Sequence, residues 1–226
     1  MEKLTREQQT ELNRKTVLYN TAKLFLEKGY SSTTIKEIAA VSELSIGSLT
    51  NLYSCKENLM SVLVKYVLEA QFTKTEKLLK DVPHDKILFY ATETTLQLHM
   101  AESSEHIREL YSVAYSLPHT TGIIQETITE KLEDIFKEHL PDLETKDFYM
   151  LEIASGGIMR GFMTIPCNMW FSMEEKVKSF LTTTFRVYEL PKEKIEDAIE
   201  FVSQFDFKTI AKDTIDSLLE EIKDRV

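Results

Sequence analysis

Three residues with metal-binding side chains, His99, Glu102 and His106, are spaced three and then four residues apart. This spacing places them on one face of a helix. However, the paired-histidine and paired-cysteine signatures of zinc sites are missing, and the two cysteines, Cys55 and Cys167, form no metal cluster or disulfide framework. A helical metalloprotein using His99 and His106 is therefore kept only as an alternative, and no cofactor is expected.

Catalytic signatures are weak in the rest of the sequence. Five scattered histidines single out no Ser/His/Asp or Cys/His set. The pair Gly156-Gly157 lies inside an apolar helical pattern and does not follow a strand, which is where a phosphate-cradling loop would begin. The sequence therefore predicts a protein that is not an enzyme.

A short polar segment near the N-terminus offers recognition chemistry instead. Ser45 can cap a helix that runs through Tyr53 and carries several hydroxyl groups. Its Asn51 amide can donate and accept together against an adenine edge, and Ile46 can contact thymine methyl groups. These residue types suit base reading in the major groove of DNA.

Punctuated helices surround this segment. Val17, Thr21, Leu24 and Phe25 form the apolar face of a first helix, which Gly29 ends as a left-handed cap. Capping boxes at Thr34-Ile-Lys-Glu37 and Ser54-Cys-Lys-Glu57 open a second and a fourth helix, the fourth reaching about Asp81. Two short helices joined by a turn of about four residues have the shape of a helix-turn-helix.

The remainder of the chain is predicted to be helical as well. All five prolines lie where apolar helical patterns stop. The predicted helices are 85–101, 104–116, 119–139, 143–165, 172–189, 192–205 and 207–223. Few glycines, no period-two alternation and no apolar run long enough to cross a membrane leave an all-α protein with no membrane partner.

Charge is divided unevenly along the chain. The net charge is −10, yet residues 1–66 hold nine Lys/Arg against seven Asp/Glu, so the acidity lies in the remainder. The first part can approach a polyanion, and the rest would be repelled by one. We therefore expect a domain at 1–66 and a second domain at 67–226. The N-terminus lacks the apolar core of a signal peptide, which predicts a cytoplasmic protein.

One ordered string carries a family resemblance. It runs Val17-Leu18, Leu24-Phe25, Gly29-Tyr30, Thr33-Thr34-Ile35, Ile38-Ala39, Leu44-Ser45-Ile46-Gly47-Ser48-Leu49, Tyr53 and Lys56-Glu57-Asn58-Leu59. Over residues 14 to 63 it closely resembles the DNA-binding domain of the TetR family of bacterial transcriptional regulators. The resemblance implies a homodimer with helix-turn-helix heads and helical ligand-binding bodies. Such a repressor binds a palindromic operator in double-stranded DNA and releases it when a small molecule binds.

The same resemblance assigns DNA contacts by position. Thr34, Lys36 and Lys56 would meet phosphates, and 45–53 would be the recognition helix. The expected DNA-binding residues are Thr34, Lys36, Ser45, Ile46, Gly47, Ser48, Thr50, Asn51, Tyr53 and Lys56.

Three departures from the family pattern leave an alternative open. Glu43 stands where the family usually has glycine in the turn, and a left-handed backbone there costs about 1 kcal/mol. Thr50 replaces a frequent tyrosine, and no Lys or Arg lies between Lys36 and Lys56. An all-helical dimer with a degenerate DNA-binding head is therefore the first alternative.

Small residues in the helix at 143–165 point to close helix packing. Ala154, Gly157 and Gly161 share one face, and glycine inside a helix costs about 1 kcal/mol against alanine. The resemblance implies a four-helix dimer interface from this helix and the next. The predicted interface residues are Ala154, Gly157, Gly161, Val177, Leu181 and Thr184, with tight packing inside one subunit as the alternative.

Large adaptable side chains in the second domain suit a pocket for an apolar or amphipathic ligand. The candidates are Phe89, Met100, Tyr111, Tyr115, Met150, Met159, Phe162, Met163 and Trp170, although such residues suit an ordinary core equally well. Arg160 could neutralise an anionic ligand. Its alignment with Glu152 and Gly156 at intervals of four favours an exposed or interfacial strip instead.

Overall fold

The computed structural model describes residues 5–82 and 85–224, and these form eleven helices without a β-strand. The helices are α1 (Arg6–Lys28), α2 (Ile35–Val41), α3 (Ile46–Leu52), α4 (Lys56–Leu78), α5 (Lys86–Glu102), α6 (Glu105–Ala114), α7 (Pro118–Phe136), α8 (Thr145–Thr164), α9 (Met173–Val187), α10 (Lys192–Val202) and α11 (Phe207–Asp224). The predicted all-α class is confirmed. Among the residues described, no helix is long and apolar enough to cross a membrane.

Local capping chemistry sets most of the helix starts that matter for the N-terminal region. The Thr34 hydroxyl accepts from the Glu37 amide while the Glu37 carboxylate accepts from the Thr34 amide, which confirms the predicted capping box. Ser45 caps α3 by accepting from the Ser48 amide. These bonds satisfy amide groups that the first helical turn leaves without partners.

The capping box predicted at Ser54 is wrong. Helix α4 begins at Lys56, and its N-cap is Cys55, whose side chain makes no capping bond. Because Cys55 has an extended backbone, Ser54 lies one residue too early to cap the first turn. Its hydroxyl instead accepts from the Asn58 side-chain amide at 2.7 Å.

Gly29 ends α1 with a positive φ of 81°, as predicted, but its ψ of 169° lies outside the left-handed helical region. Its amide still donates to the Phe25 carbonyl. Only glycine adopts this part of backbone space without strain.

Helices α1 to α4 enclose an apolar core whose central side chains are completely or almost completely buried: Val17, Phe25, Ile38, Leu49 and Leu59. Full burial of one such side chain contributes about 1.5–3 kcal/mol. The same cluster continues into α6, α7 and α11 through Ala114, Ile124 and Ile222. The expected domain boundary after residue 66 lies inside the continuous helix α4.

A second core fills the larger C-terminal part. Its centre is aromatic: Tyr90 packs against Phe136, Phe185 and Tyr188 with ring centroids 5.4–5.6 Å apart. Val177, Leu181 and Thr184 of α9 also belong to the buried interior. This position conflicts with their assignment to a dimer interface, because their side chains are covered by their own subunit.

Candidate DNA-binding surface and ligand cavities

Helices α2 and α3 form a helix-turn-helix around an unusual turn residue. Glu43 has a φ of +56°, so the expected left-handed backbone is present on a residue that carries a side chain. The turn is held from α1, because the Asn20 amide donates to the Val41 carbonyl and the Ser42 hydroxyl at 3.1 Å each. These bonds offset the strain at Glu43.

The candidate base-reading residues lie on the open side of this motif. Leu49 faces inward and is fully buried. The exposed members of the predicted set are Thr34, Lys36, Ser45, Ile46, Gly47, Ser48, Thr50 and Asn51. Helix α3 therefore buries Leu49, packs Leu52 half-buried against the same core, and presents its other residues on a surface that a DNA groove could cover.

Hydrogen-bonding capacity differs along this surface. The hydroxyls of Ser45 and Ser48 lie 2.9 Å apart and bond to each other, and the Thr50 hydroxyl donates to the Ile46 carbonyl. Asn51 makes no side-chain hydrogen bond within residues 5–82 and 85–224. Its donor and acceptor are both available to a base edge.

Two of the predicted DNA contacts, Lys56 and Tyr53, bond to the protein's own backbone. The Lys56 ammonium donates to the carbonyls of Tyr30 and Thr33 at 2.9 Å each and lies over the Tyr30 ring. Burial lowers the pKa of Lys56. The half-buried Tyr53 hydroxyl donates to the Arg14 carbonyl at 3.2 Å. The two side chains join the start of α4 and the end of α3 to neighbouring parts of the head, which here means helices α1 to α3.

One carboxylate on α6 joins the head to the rest of the molecule. Glu109 accepts from the Ser31 amide at 2.9 Å, and a Cβ atom at Gly29 would lie only 2.0 Å from the Glu109 carboxylate. The pKa of Glu109 is lowered: burial raises it, but hydrogen bonds from Ser31 and the Tyr30 amide outweigh that effect. The glycine therefore makes room for this connection as well as ending α1.

An apolar cavity of about 100 Å³ lies where the head meets the body, by which we mean helices α5 to α11. Helices α1, α4, α5, α6, α7 and α11 line it. Phe25 contributes from the head, Met60 from α4, and Ile215 and Ile222 from α11. Some of the side chains that fix the position of the head therefore also line this cavity.

A second, more polar cavity of about 30 Å³ lies deeper in the body. Glu93 of α5 and Glu152 of α8 line it, together with Ser155 and Lys131. Gln97 and Tyr115 line both cavities, and the Gln97 amide donates to the Tyr115 hydroxyl at 3.0 Å. This hydrogen bond stands between the two spaces.

The predicted ligand residues are only partly brought together. Met100 and Tyr111 line the apolar cavity, Phe89 and Met159 line the polar one, and Tyr115 lines both. Met163 is buried and Phe162 half-buried, packed in the body core. Met150 and Trp170 are exposed by 57% and 82% and line neither cavity.

Sequence reasoning missed the polar members of these cavities, namely Gln71, Glu93, Gln97 and Glu152. The sequence did contain a signal for Glu93, because it is a charged residue within the apolar segment 87–98. Such a residue is either buried or breaks the apolar face of its helix. Glu152 was expected on an exposed or interfacial strip with Arg160. That expectation is wrong for Glu152, which is 4% exposed, whereas Arg160 lies on the surface.

Two of the residues considered as metal ligands, His99 and Glu102, contact other side chains in the structure. Glu102 is engaged by cations: Arg108 lies 2.9 Å and Lys176 lies 2.6 Å from its carboxylate oxygens. His99 stacks on Phe207, and burial lowers the His99 pKa to about 4. Among the residues described, no three His, Cys, Asp or Glu side chains form a group that could hold a metal ion.

An open face of α8 contains the small residues predicted at the dimer interface. Ala154, Gly157 and Gly161 are exposed, and a Cβ atom at either glycine would meet nothing within 4 Å. Tight packing inside the subunit therefore does not explain these glycines. Exposed apolar side chains continue the face at Tyr149, Met150, Ile153 and Ile165.

Taken together, these features define a helix-turn-helix head on a helical body with internal cavities. Residues 17–63 match the family model described as "Bacterial regulatory proteins, tetR family". Residues 17–63 are thus similar to the N-terminal domain of the TetR family, and the resemblance indicated by the sequence is confirmed. A comparison with curated proteins finds no match.

Three solved structures align with this chain, and the first of them shares its fold. RolR, solved in complex with the ligand resorcinol, aligns with a TM-score of 0.64 at 15% identity, covering 88% of this chain and 97% of RolR. The TetR family protein CprB from S. coelicolor A3(2) is 20% identical over 90% of this chain and 98% of its own, with a TM-score of 0.44. TylP, a TetR regulator from Streptomyces fradiae, is 19% identical over 96% and 99%, also with a TM-score of 0.44.

Proposed function

We propose that this protein is a transcriptional repressor that binds a palindromic operator as a homodimer and releases it when a small molecule binds. The observation that carries the proposal is the matched helix-turn-helix. Its second helix, α3, buries Leu49 and exposes its other face. The fold shared with RolR, a protein crystallised with a small aromatic ligand, supports the ligand-responsive part.

Base reading falls to Asn51 and Ile46. Asn51 has an unengaged amide, and Ile46 is half exposed at the start of α3, where a thymine methyl group could cover it. Lys36 and the Thr34 hydroxyl at the start of α2 would contact phosphates, which fix the register without reading sequence.

Dimerisation uses the open face of α8. Exposed apolar residues beside Gly157 and Gly161 allow the same helix of a second copy to approach closely, and a two-fold interface matches a two-fold operator. Because Val177, Leu181 and Thr184 are buried, α9 would contribute its exposed side, which includes Ser179 and Thr183.

Release would follow from the position of the apolar cavity. A ligand that enlarges this space displaces α1 or α4 and changes the spacing of the two heads, so it binds better to the state that does not fit DNA. The Glu109 link between α6 and the Gly29 turn gives the body a second contact through which to shift the head.

The DNA part is tested by a gel shift with Asn51→Ala on DNA flanking the protein's own coding region. We expect binding to the operator to weaken by about 1–3 kcal/mol and binding to random DNA to change little. Asn168→Ala, the same change in the connection between α8 and α9, is the matched control. An equal loss on both DNAs would show that α3 does not read bases.

The dimer part is tested by sedimentation of Gly161→Leu. Since nothing in the subunit fills the space at Gly161, the variant should fold and sediment as a monomer. Gly122→Leu on α7 is the control, because that glycine also has open space around it. A folded, fully dimeric Gly161→Leu protein would place the interface elsewhere.

A further inference from the structure

Glu93 is a buried acid without a partner. Its side chain lines the polar cavity, the residue is 6% exposed, and its carboxyl makes no hydrogen bond or ion pair within the described parts of the chain. Burying a carboxylate without a partner is expensive, and an unpaired group of this kind in a native protein is a sign of function. Packing alone would be served better by an apolar residue.

Glu152 meets Glu93 across the same cavity from α8. Within the described residues its carboxylate accepts one side-chain hydrogen bond, from the Ser155 hydroxyl at 3.3 Å, which is long and weak. A Cβ atom at Gly156 would lie 2.9 Å from one carboxylate oxygen of Glu152. Because Gly156 has no side chain, the Glu152 carboxyl has room to lie inside the body.

A surplus of acceptors extends into the apolar cavity. The Gln71 side-chain amide donates to the Tyr111 hydroxyl at 2.8 Å, but its oxygen is buried without a partner. The acceptors with spare capacity that face the two spaces are therefore the Gln71 amide oxygen, the Glu93 carboxyl and the Glu152 carboxyl, of which only Glu152 receives a hydrogen bond, the long one from Ser155. A ligand that complements this lining would supply hydrogen-bond donors and a positive charge.

Charge balance specifies how much positive charge. Lys131 lies at the polar cavity, so two ionised carboxyls and one ammonium would leave a net charge of −1. The other titratable groups near the pair are the tyrosines Tyr90, Tyr111, Tyr115 and Tyr188, whose pKa values burial raises, so they stay neutral. One added positive charge neutralises the site.

The size of the apolar cavity limits the rest of the ligand. An engineered cavity of about 150 Å³ holds benzene, so a space of about 100 Å³ suits one aromatic ring or a short alkyl chain after a small expansion. The polar cavity is large enough for an ammonium group. Reaching it from the apolar side requires the Gln97 to Tyr115 hydrogen bond to open.

We propose that the two cavities together bind a primary amine that carries one aromatic ring or a short alkyl chain, with the ring beside Gln71 and the ammonium between Glu93 and Glu152. This inference rests on the proposed function, because the amine would be the molecule that releases the operator. The preference for a positively charged ligand does not follow from the net charge of the protein. It follows from the two buried carboxyls, Glu93 and Glu152.

Ionisation of the pair makes the proposed binding dependent on pH. Burial raises the pKa of Glu93 and of Glu152 to about 8 each, with Lys131 partly offsetting the effect at Glu93 and Ser155 at Glu152. A cation favours the ionised carboxyls, so binding below pH 8 releases protons, two of them where both acids ionise. The affinity should therefore rise by between about tenfold and about a hundredfold per pH unit as pH increases from 6 to 7.5 and level off above 8.

The experiment is titration calorimetry on the protein free of DNA. The probes are benzylamine, 2-phenylethylamine and 4-phenylbutylamine, each compared with the alcohol of the same carbon skeleton, at pH 6, 7 and 8. We expect at least one amine to bind at least tenfold more tightly than its alcohol and to release protons at pH 7. Equal binding of amine and alcohol, or no amine with a dissociation constant below about 1 mM, would overturn the proposal.

Glu93→Gln and Glu152→Gln locate the charge. Each change keeps the shape of the side chain, and each should weaken amine binding by tenfold or more and reduce its pH dependence. Glu130→Gln, an exposed residue of α7, is the matched control. Amine binding at full strength and with full pH dependence in both cavity variants would overturn the proposal.

The outcome separates the inference from the proposed function. Calorimetry uses no DNA, and the gel shift uses no amine. A protein that reads its operator but ignores every amine refutes only the ligand class, whereas a protein that binds amines but no operator refutes the repressor function.

Discussion

Acids that are partly or fully buried occur in two regions of this body with opposite surroundings. Glu102, at the end of α5, is paired with Arg108 and Lys176 and accepts the Cys167 amide. Among the described residues, no cation lies within ion-pair distance of Glu93, nine residues earlier on the same helix, or of Glu152 across the cavity from it. The pKa of Glu102 is lowered because these partners outweigh its burial, whereas burial raises the pKa of the other two.

The comparison shows that burial of an acid serves two purposes here. At Glu102 the carboxylate joins α5, α6 and the connection between α8 and α9, since Lys176 also donates to the Ile165 carbonyl at 2.6 Å. At Glu93 and Glu152 nothing is joined, and the acids line an internal space. The first region is a structural connection, and the second is the proposed amine site.

The largest expected effect comes from breaking the connection. Glu102→Leu would leave Lys176, whose side chain is 1% exposed, and Arg108 without a counter-charge. We expect unfolding in urea to show a loss of about 3–5 kcal/mol, as for other buried ion pairs cut on one side.

A double variant controls for the lost packing. Glu102→Leu combined with Lys176→Met removes the charge left behind and should recover much of the stability. If the single variant loses less than about 1 kcal/mol, the group is not the structural connection described above.

The unpaired acids should make stability depend on pH in the opposite direction from ordinary acids. Their folded pKa of about 8 lies above the unfolded value, so the folded state holds more protons and its stability falls as pH rises from 6.5 to 8. The slope should be up to about 1.4 kcal/mol per pH unit for each carboxyl.

Urea unfolding at several pH values measures this slope. His99 also titrates in the unfolded chain, but its folded pKa of about 4 confines most of its effect to lower pH. Glu93→Gln should remove about half of the slope, while Glu130→Gln should leave it unchanged. A flat wild-type profile between pH 6.5 and 8 would mean that the two acids are ionised in the folded protein.

A third acid, Glu109, sharpens the contrast because its partners are backbone amides. Glu109→Ala should destabilise the protein by about 1.5 kcal/mol, the lower value for hydrogen bonds to a charged group. The Ser31 amide, which donates a hydrogen bond to Glu109, should also exchange its hydrogen faster. Glu105→Ala, exposed on the same helix, should not affect Ser31. Unchanged exchange at Ser31 would remove Glu109 from the head-to-body link.

The smallest expected effect concerns a cation whose partners are carbonyls. Because the Lys56 ammonium is held by Tyr30 and Thr33, Lys56→Ala should lower stability by about 1 kcal/mol without changing how operator affinity depends on salt. Lys36→Ala should reduce that salt slope by about one, since Lys36 is exposed beside the recognition helix. A lower slope for Lys56→Ala would restore its predicted phosphate contact.

Local patterns in the sequence predicted most of the helical order. The seven helices expected after Pro83 are all present with similar ends, because proline positions and apolar periodicity act within a few residues. The left-handed backbone at Glu43 was expected from the family pattern, which usually has glycine there. The DNA-contacting residues of α3 were likewise assigned by position from the resemblance to the TetR family.

Only the tertiary structure decided where the chemistry lies. Lys56 and Lys36 are alike in sequence, yet one is held by carbonyls of a loop more than twenty residues away and the other is free on the surface. Glu93 and Glu102 lie on the same helix, and only their neighbours on α6, α7, α8 and α9 distinguish them. The sequence by itself determined helices, caps and turns because those depend on nearby residues. The partners of buried charges were decided by packing between distant helices, since the cost of burying a charge depends on what surrounds it in space.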